Sequence, residues 1–223
     1  MKIVVINPNS DPVMTANIRE AAERFADGRM EVETVLTEGA PKFIDYYEDE
    51  FEAAPGMIRI VRSHPEADAF IVACHCDPAL ELLRTVTEKP VIGIGEASFR
   101  TAVMLGGKFS VIITEDHSYA RKCKLIHEYG MDQYCSSVRI RDSRITDEKE
   151  AYLKAAQQAI EEDYAEVIIL GCAGLCSLTD YLQAHLSVPV IDGVVAALGM
   201  AEGMVHAGYR TSKVRLYADR KYQ

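Results

Sequence analysis

The sequence predicts an α/β fold made of two pseudo-symmetric lobes, each a parallel sheet flanked by helices, with a ligand cleft between the lobes. Two observations lead to this fold class. Short apolar segments rich in Val and Ile alternate with longer amphipathic segments along the chain, and an internal repeat relates its two halves. Strands that are uniformly apolar and separated by helices belong to parallel sheets that are covered on both faces.

The first half of the chain opens with a buried strand at residues 3–6. A helix is predicted from a cap at Ser10 to about Phe25, because a serine hydroxyl can accept a hydrogen bond from the first free N–H groups. Further strands are predicted at 32–36, 70–73 and 91–94. An acidic cluster marks the start of a solvated helix between the second and third strands, at Asp45, Glu48, Asp49 and Glu50.

The second half repeats this alternation. Strands are predicted at 109–113, 138–140, 167–170 and 190–191, and helices near 97–105, 117–129, 148–162, 177–185 and 194–206. No linker rich in Gly, Ser or Pro divides the chain. We therefore expect a first lobe at 1–96 and a second lobe at 97–192, with the C-terminal helix and tail, about 193–223, packing back on the first lobe.

The internal repeat places one cysteine in each half. Residues 68–74 and 166–172 each consist of an acidic residue, an apolar strand and a terminal cysteine, Cys74 or Cys172. A Pro-Val-Ile segment follows 16 residues after Cys74 and 17 residues after Cys172. In open α/β sheets, ligands bind beyond the carboxyl ends of the strands. The repeat therefore predicts that two thiols face one cleft from opposite sides.

Two opposed thiols suit the inversion of a stereocentre that carries an acidic hydrogen. One thiolate removes the proton from one face, and one thiol returns a proton to the other face. The reference pKa of cysteine, near 8.5, makes both forms reachable, and a helix N-terminus favours the thiolate. Backbone N–H groups at helix starts stabilise the carbanion, so that this chemistry requires no cofactor.

Several short segments, spread in order over most of the chain, resemble the hydantoin/allantoin racemase branch of the aspartate/glutamate racemase superfamily. They are residues 6–10, 39–41 with 46–48, 73–78, 93–97 and 171–174. The resemblance implies two α/β lobes with the active site between them. It also implies a cofactor-independent racemase that acts next to a carbonyl, on a hydantoin, allantoin or an amino-acid-like compound.

Carried over position by position, the resemblance makes Cys74 and Cys172 the catalytic pair. The positions that match substrate contacts are Asn7, Asn9, Ser10, His75, Cys76, Asp77, Thr114, Ala173 and Gly174. The sequence departs from the branch at three places. Ala79 stands where a glycine usually follows Asp-Pro, His75 replaces a bulky apolar residue, and Cys76 adds a third thiol. These changes bear on the substrate more than on the fold.

Other functions remain open at this point. The superfamily also contains maleate isomerases and arylmalonate decarboxylases, and the altered pocket is compatible with a non-catalytic small-molecule-binding protein. The decarboxylase relies on one cysteine at the second position, so two matched thiols argue against it. A zinc ion on Cys74, Cys76 and Cys172 is a further alternative. We expect no metal, because no second ligand pair has the usual spacing. Cys123, Cys135 and Cys176 are expected to pack in the core.

Composition limits the partners. The chain has 223 residues, 48% hydrophobic and 26% charged, with a net charge of −10. This excludes a disordered chain and disfavours nucleic acid, whose binders need a basic face. No apolar run has the length of a membrane span or of a signal peptide, so we expect a cytoplasmic protein with free thiols. The expected partners are a small-molecule substrate and further copies of the chain. No Arg or Lys lies in the matched motifs, which disfavours a doubly charged substrate.

Overall fold

The computed structural model describes residues 1–218, which form two parallel sheets of four strands each. The first sheet contains β1 (Lys2–Asn7), β2 (Glu31–Leu36), β3 (Ala69–Val72) and β4 (Val91–Gly93). The second contains β5 (Phe109–Ile113), β6 (Cys135–Ile140), β7 (Val167–Leu170) and β8 (Val190–Ile191). The strand orders β2-β1-β3-β4 and β6-β5-β7-β8 correspond position by position. The predicted pair of pseudo-symmetric α/β lobes is confirmed. Residues 219–223 of the predicted tail lie outside the described residues.

Helices cover both sheets. In the first half they are α1 (Pro12–Ala26), α2 (Tyr47–Ser63), α3 (Leu80–Val86) and α4 (Ile94–Leu105). In the second half they are α5 (Tyr119–Glu128), α6 (Glu148–Asp163), α7 (Thr179–His185) and α8 (Gly193–His206). Within residues 1–218 no helix combines the length and the apolar character that a bilayer crossing requires.

Several predicted helix starts are wrong in detail. Asp11, not Ser10, caps α1, and its carboxylate accepts a hydrogen bond from the backbone N–H of Val13 at 3.3 Å. Ser10 instead donates its own N–H to the carbonyl oxygen of Pro41 at 3.0 Å, so it belongs to the loop before the cap. α5 and α7 each begin two residues later than predicted. The reason is that the 3₁₀ turns Asp116–Ser118 and Ala173–Leu178 precede them.

Both faces of the first sheet are buried, as the uniformly apolar strands require. On one face α1 and α8 pack against residues such as Ile3, Val5 and Ile71. On the other face α2 and α3 cover Val4 and Phe70, together with their neighbours in the same strands. The C-terminal helix α8 thus covers the first sheet, although it follows the last strand of the second.

The two lobes are joined by helix contacts that align the carboxyl ends of their sheets. α4 packs against α8 and also against β7 of the second sheet, and α1 packs against the 3₁₀ turn Ala173–Leu178. Phe99 of α4 is fully buried with Phe109 and Ile191, which belong to the second sheet. These contacts place the ends of β3 and β7 on opposite sides of one cleft.

Candidate active site

A cavity of about 440 Å³ lies between the lobes, at the carboxyl ends of both sheets. Cys74 stands two residues beyond β3, and Cys172 stands two residues beyond β7, so the two thiols occupy equivalent positions. Both line the cavity. The other lining residues are Asn9, Met14, Phe43, Ile44, Asp45, Ala73, Thr114, Glu115, His117 and Ala173.

The backbone around each cysteine is held tightly. A turn follows β3, in which the N–H of Asp77 donates to the carbonyl oxygen of Cys74 at 2.9 Å. Before Cys172, a side chain at Gly171 would come within 2.9 Å of the carbonyl oxygen of Ile112, so only glycine fits against β5. Cys172 then begins the 3₁₀ turn, and the N–H of Gly174 donates to its sulfur. Each thiol is therefore fixed by its strand and by the turn that follows.

The thiols differ in their proton affinity. Burial raises the pKa of Cys172, while the hydrogen bond from the Gly174 N–H and the charge of Lys122 oppose this rise. Cys74 and Cys76 share a hydrogen bond and titrate as a unit. That hydrogen bond and the charge of Lys122 lower the pKa of Cys76 to about 6, whereas the same hydrogen bond, together with burial, raises the pKa of Cys74 well above its usual value. The pair therefore holds one negative charge near neutral pH, while Cys172 stays a thiol.

Lys122 is a buried residue at the candidate site that the sequence analysis did not identify. It lies on α5 and is only 1% exposed. Its ammonium lies 2.7 Å from Nδ1 of His75 and donates to the His75 carbonyl oxygen at 2.5 Å. Lys122 shares the buried stripe of α5 with Ile126, four residues later. A lysine at an apolar-stripe position was the signal that could have revealed it.

The predicted substrate contacts divide into those on the cavity and those behind it. Asn9, Thr114 and Ala173 line the cavity together with both cysteines. Asn7 is fully buried, and its amide donates to Oδ1 of Asn9 at 2.7 Å, so it orients Asn9. Ser10 stands outside the lining, in the loop that precedes α1. Gly174 is absent from the cavity lining, but its N–H donates to the sulfur of Cys172.

The remaining predicted contacts, His75, Cys76 and Asp77, lie on the far side of the turn that follows β3. The ring of His75 packs edge-on against Phe99, and burial followed by the charge of Lys122 lowers its pKa well below the usual value. Cys76 and Asp77 line a second cavity of about 380 Å³. The carboxylate of Asp77 accepts hydrogen bonds from the N–H groups of Gly95 and Glu96 at 2.9 and 2.7 Å, so it anchors the start of α4. Direct contact of any of the nine predicted residues with a substrate stays a prediction.

Comparison with known proteins places this architecture in a family. The sequence model of the Asp/Glu/Hydantoin racemase family matches residues 3–201. The chain belongs to this family. It is 39% identical over 226 residues to a hydantoin racemase of Pseudomonas sp. (strain NS671), covering 97% of this chain and 91% of that protein. It is 40% identical over 227 residues to a hydantoin racemase of Rhizobium meliloti, covering 98% of this chain and 94% of that protein. The predicted resemblance is confirmed, and the chain is an isomerase of the racemase type.

Solved structures agree with this assignment. The allantoin racemase from Klebsiella pneumoniae superposes with a TM-score of 0.93 at 34% identity, covering 100% of this chain and 95% of that one. The allantoin racemase from Pseudomonas fluorescens superposes with a TM-score of 0.92 at 32% identity, covering 100% of this chain and 98% of that one. A mutant arylmalonate decarboxylase shares the fold, with a TM-score of 0.67 at 15% identity over 93% of each chain.

The racemase cavity also contains residues from loops outside the matched motifs. Phe43, Ile44 and Asp45 reach it from the segment before α2, and His117 reaches it from the second lobe. Nε2 of His117 lies 3.5 Å from Oδ1 of Asp45, and its ring stacks on Tyr46 at 5.7 Å. This contact joins the two lobes across the cavity.

Side chains of the types that bind metals form a cluster away from the cleft of this racemase. Among residues 1–218, Cys74, Cys76 and Cys172 do not form a group with sulfur atoms close enough to share an ion. Glu33, His64 and Glu66 do lie close together. The ammonium of Lys2, however, lies 2.8 Å from Glu33 and 2.9 Å from Glu66. This cluster is therefore an ion-pair network that already contains its cation.

Proposed function

We propose that this racemase inverts a carbon next to a carbonyl by two-thiol proton transfer, with Cys74 and Cys172 as the acid and base. The observation that carries the proposal is the equivalent position of the two thiols, each two residues beyond its strand, on one cavity. The two groups then lie on opposite faces of a carbon held between the lobes. Removal of a proton from one face and its return to the other exchanges the two enantiomers.

The charge distribution supports a definite resting state. The Cys74–Cys76 pair holds one negative charge, and movement of the shared proton from Cys74 to Cys76 leaves Cys74 as the thiolate base. Cys172 is a thiol in that state and donates its proton to the opposite face. The other enantiomer reacts in the reverse protonation state, with Cys172 as the base. The N–H of Gly174 and the charge of Lys122 stabilise the Cys172 thiolate in that state.

The cavity supports a small neutral ring as the substrate, namely a 5-substituted hydantoin such as allantoin. Its volume of about 440 Å³ is ample for such a ring. Asn9 and Thr114 offer hydrogen-bonding groups, and Met14 and Phe43 offer apolar surface. Within the described residues no Arg or Lys lines this cavity, which disfavours dicarboxylates such as aspartate and glutamate. The names of the similar racemases point to the same substrate class.

Enantiomer-resolved isotope exchange tests the mechanism. The variants Cys74→Ser and Cys172→Ser are incubated in D₂O with each pure enantiomer of a reactive hydantoin, and uncatalysed exchange is subtracted. We expect each variant to lose racemisation by roughly 10²–10⁴-fold, the usual contribution of a positioned acid or base. Each should keep deuterium exchange only with the enantiomer that faces the remaining thiol. Cys123→Ser is the matched control and should behave like the parent.

Racemisation at the parent rate by either active-site variant would show that the two-base assignment is wrong. A polarimetric panel of 5-substituted hydantoins, allantoin, aspartate and glutamate tests the substrate class. Turnover of the dicarboxylates alone would contradict the neutral-ring assignment.

A further inference from the structure

Cys76 is a third thiol beside the catalytic pair, and the mechanism uses it only as a proton partner. It shares a tight turn with Cys74, closed by the hydrogen bond from the Asp77 N–H to the Cys74 carbonyl oxygen at 2.9 Å. One residue separates the two cysteines in the chain, and their thiols are near enough for the hydrogen bond between them to shift the pKa of each. Two cysteines this near to each other in one turn are candidates for a disulfide.

Cys76 is also reachable from a direction that substrate does not occupy. It is half-buried and lines the second cavity of about 380 Å³, which is separate in its lining from the cavity that holds Cys74 and Cys172. Arg121 and Lys124 lie on the same wall. A small polar oxidant can therefore meet Cys76 without entering the substrate cavity.

The electrostatics make Cys76 the first thiol to react. The hydrogen bond with Cys74 and the charge of Lys122 favour its thiolate, and the thiolate is the form that attacks peroxides. Cys74 then stands ready as the resolving thiol. Accessible thiols of this kind, with a neighbouring thiol, are typical of redox-sensitive sites.

We propose that Cys76 is an oxidation site, and that a hydroperoxide converts Cys74 and Cys76 into a disulfide that reversibly switches off proton transfer. The loss of activity rests on the proposed function, because the disulfide removes the Cys74 thiol from the pair that moves protons. The chemical event itself does not depend on the substrate.

The reaction balances in two steps. The Cys76 thiolate attacks one peroxide oxygen, the O–O bond breaks, and the departing hydroxide or alkoxide takes up a proton. This leaves a sulfenic acid on Cys76. The sulfur of Cys74 then attacks the sulfur of Cys76, the S–O bond breaks, and the departing hydroxide takes the Cys74 proton to form water. Two thiols and one hydroperoxide thus give one disulfide, one water, and a second water or an alcohol. Two electrons pass from sulfur to the peroxide.

The other cysteines are less suited to this reaction. Burial raises the pKa of Cys176 to about 12, and its thiol donates to the carbonyl oxygen of Asn17 at 3.3 Å. Burial also raises the pKa of Cys135 to about 11. Cys123 and Cys135 are near enough to interact, so they form a competing pair that an experiment must separate. Cys172 also lies near enough to Cys74 and Cys76 to interact with them, so a disulfide between peptides 63–84 and 155–210 is a second competing product.

Peptide mass after mild oxidation tests the proposal without a substrate. The full chain is treated with hydrogen peroxide at neutral pH, remaining thiols are blocked with N-ethylmaleimide, and the protein is digested with trypsin without reduction. Residues 63–84 form one tryptic peptide with both Cys74 and Cys76, and residues 155–210 form another with Cys172 and Cys176. We expect the first peptide to lose two hydrogen atoms and to bind no maleimide, and dithiothreitol to reverse this.

Variants connect the disulfide to activity. In the parent, racemase activity should fall in proportion to the oxidised fraction of peptide 63–84 and return on reduction. For Cys76→Ser, each treated sample is compared with its own untreated sample, and we expect inactivation to slow by roughly an order of magnitude and to lose its reversibility by dithiothreitol. Cys123→Ser is the control and should respond like the parent.

Three outcomes would overturn the proposal. One is a peptide 63–84 that keeps both thiols while activity falls. The second is a disulfide that joins peptides 63–84 and 155–210, or one that contains Cys123 and Cys135, in place of the expected one. The third is full activity with the disulfide formed. If no hydantoin is turned over at all, the mass change still decides whether Cys76 is oxidised, so failure of the proposed function remains distinguishable.

Discussion

The ammonium of Lys122 lies 2.7 Å from Nδ1 of His75 and donates a hydrogen bond to the carbonyl oxygen of the same residue at 2.5 Å. His75 is the residue between Cys74 and Cys76, whereas Lys122 belongs to α5 of the other lobe. A buried cation from the second lobe therefore fixes the turn that carries the first-lobe thiols. Its charge lowers the pKa of Cys76 and opposes the raised pKa of Cys172.

Replacing this cation is expected to move the pH dependence of racemisation. In Lys122→Met the volume is roughly kept, but the charge that favours both thiolates is lost, so their pKa values rise. The acidic limb of kcat against pH should move to higher pH by about one unit, which is about a tenfold loss of rate below the limb. Lys124→Met, on the exposed side of the same helix, is the control. An unmoved acidic limb in a folded Lys122→Met protein would show that the charge does not act on the thiols.

The pH dependence of alkylation should distinguish Cys76 from Cys172 and Cys176. Iodoacetamide reacts with thiolates, so labelling of the tryptic peptide 63–84 should rise with a midpoint near pH 6, the pKa to which Cys76 is lowered. The peptide 155–210 should label slowly at that pH, because burial raises the pKa of both Cys172 and Cys176. Mass spectrometry of each peptide across pH 5–9 measures both. Equal labelling of the two peptides at pH 7 would contradict the assigned charge distribution.

Tyr129 should stabilise the fold in a pH-dependent way. Its hydroxyl donates to Oδ2 of Asp77 at 2.7 Å, and burial raises the pKa of Asp77 to about 6. Because this pKa is above its unfolded value, the contribution of Asp77 to stability is present at low pH and is lost as pH rises through about 6. Above that pH the hydroxyl binds a carboxylate, which is the stronger bond.

The test is Tyr129→Phe, measured by urea unfolding. We expect a loss of about 1–2 kcal/mol in the free energy of unfolding at pH 7 and a smaller loss at pH 5, where Asp77 is protonated. Tyr164→Phe, which removes an exposed hydroxyl, should change stability by no more than a few tenths of a kcal/mol at either pH. A loss that is equal at both pH values would show that the stabilisation by Tyr129 does not depend on the ionisation of Asp77.

The fold could be predicted because its signals are local and are repeated. The apolar strands at 70–73 and 167–170 each precede a cysteine, so periodicity and the internal repeat indicated the same topology. The cap of α1 was misplaced because Ser10 and Asp11 are both good cap residues. The choice depends on a hydrogen bond from Ser10 to Pro41, more than 30 residues away, which no local pattern reveals.

The two cysteines could be predicted from the sequence because they end repeated strands, and parallel topology brings such positions to one edge. Asn9 and Thr114 also follow strands, but the resemblance to the racemase branch was what predicted them. Residues that reach the cavity region from elsewhere were missed. Lys122 lies on a helix face that is determined by packing between lobes, and loops such as the one with Phe43 depend on tertiary contacts.

Ala79 offers a prediction about stability that is independent of catalysis. It caps α3 with a φ of 55°, in the left-handed region where a β-carbon is strained and glycine is not. Ala79→Gly relieves that strain, which is about 1–2 kcal/mol. It also stabilises the unfolded chain by about 0.4–1 kcal/mol, because glycine has more conformational entropy there than alanine. We expect a net gain of about 0.5–1 kcal/mol in the free energy of unfolding, measured from urea midpoints with the slope unchanged. Ala120→Gly, at an exposed position within α5, is the matched control and should lose up to about 1 kcal/mol. If both substitutions lowered the midpoint equally, Ala79 would carry no backbone strain, and the turn between Asp77 and α3 would accept alanine as readily as glycine.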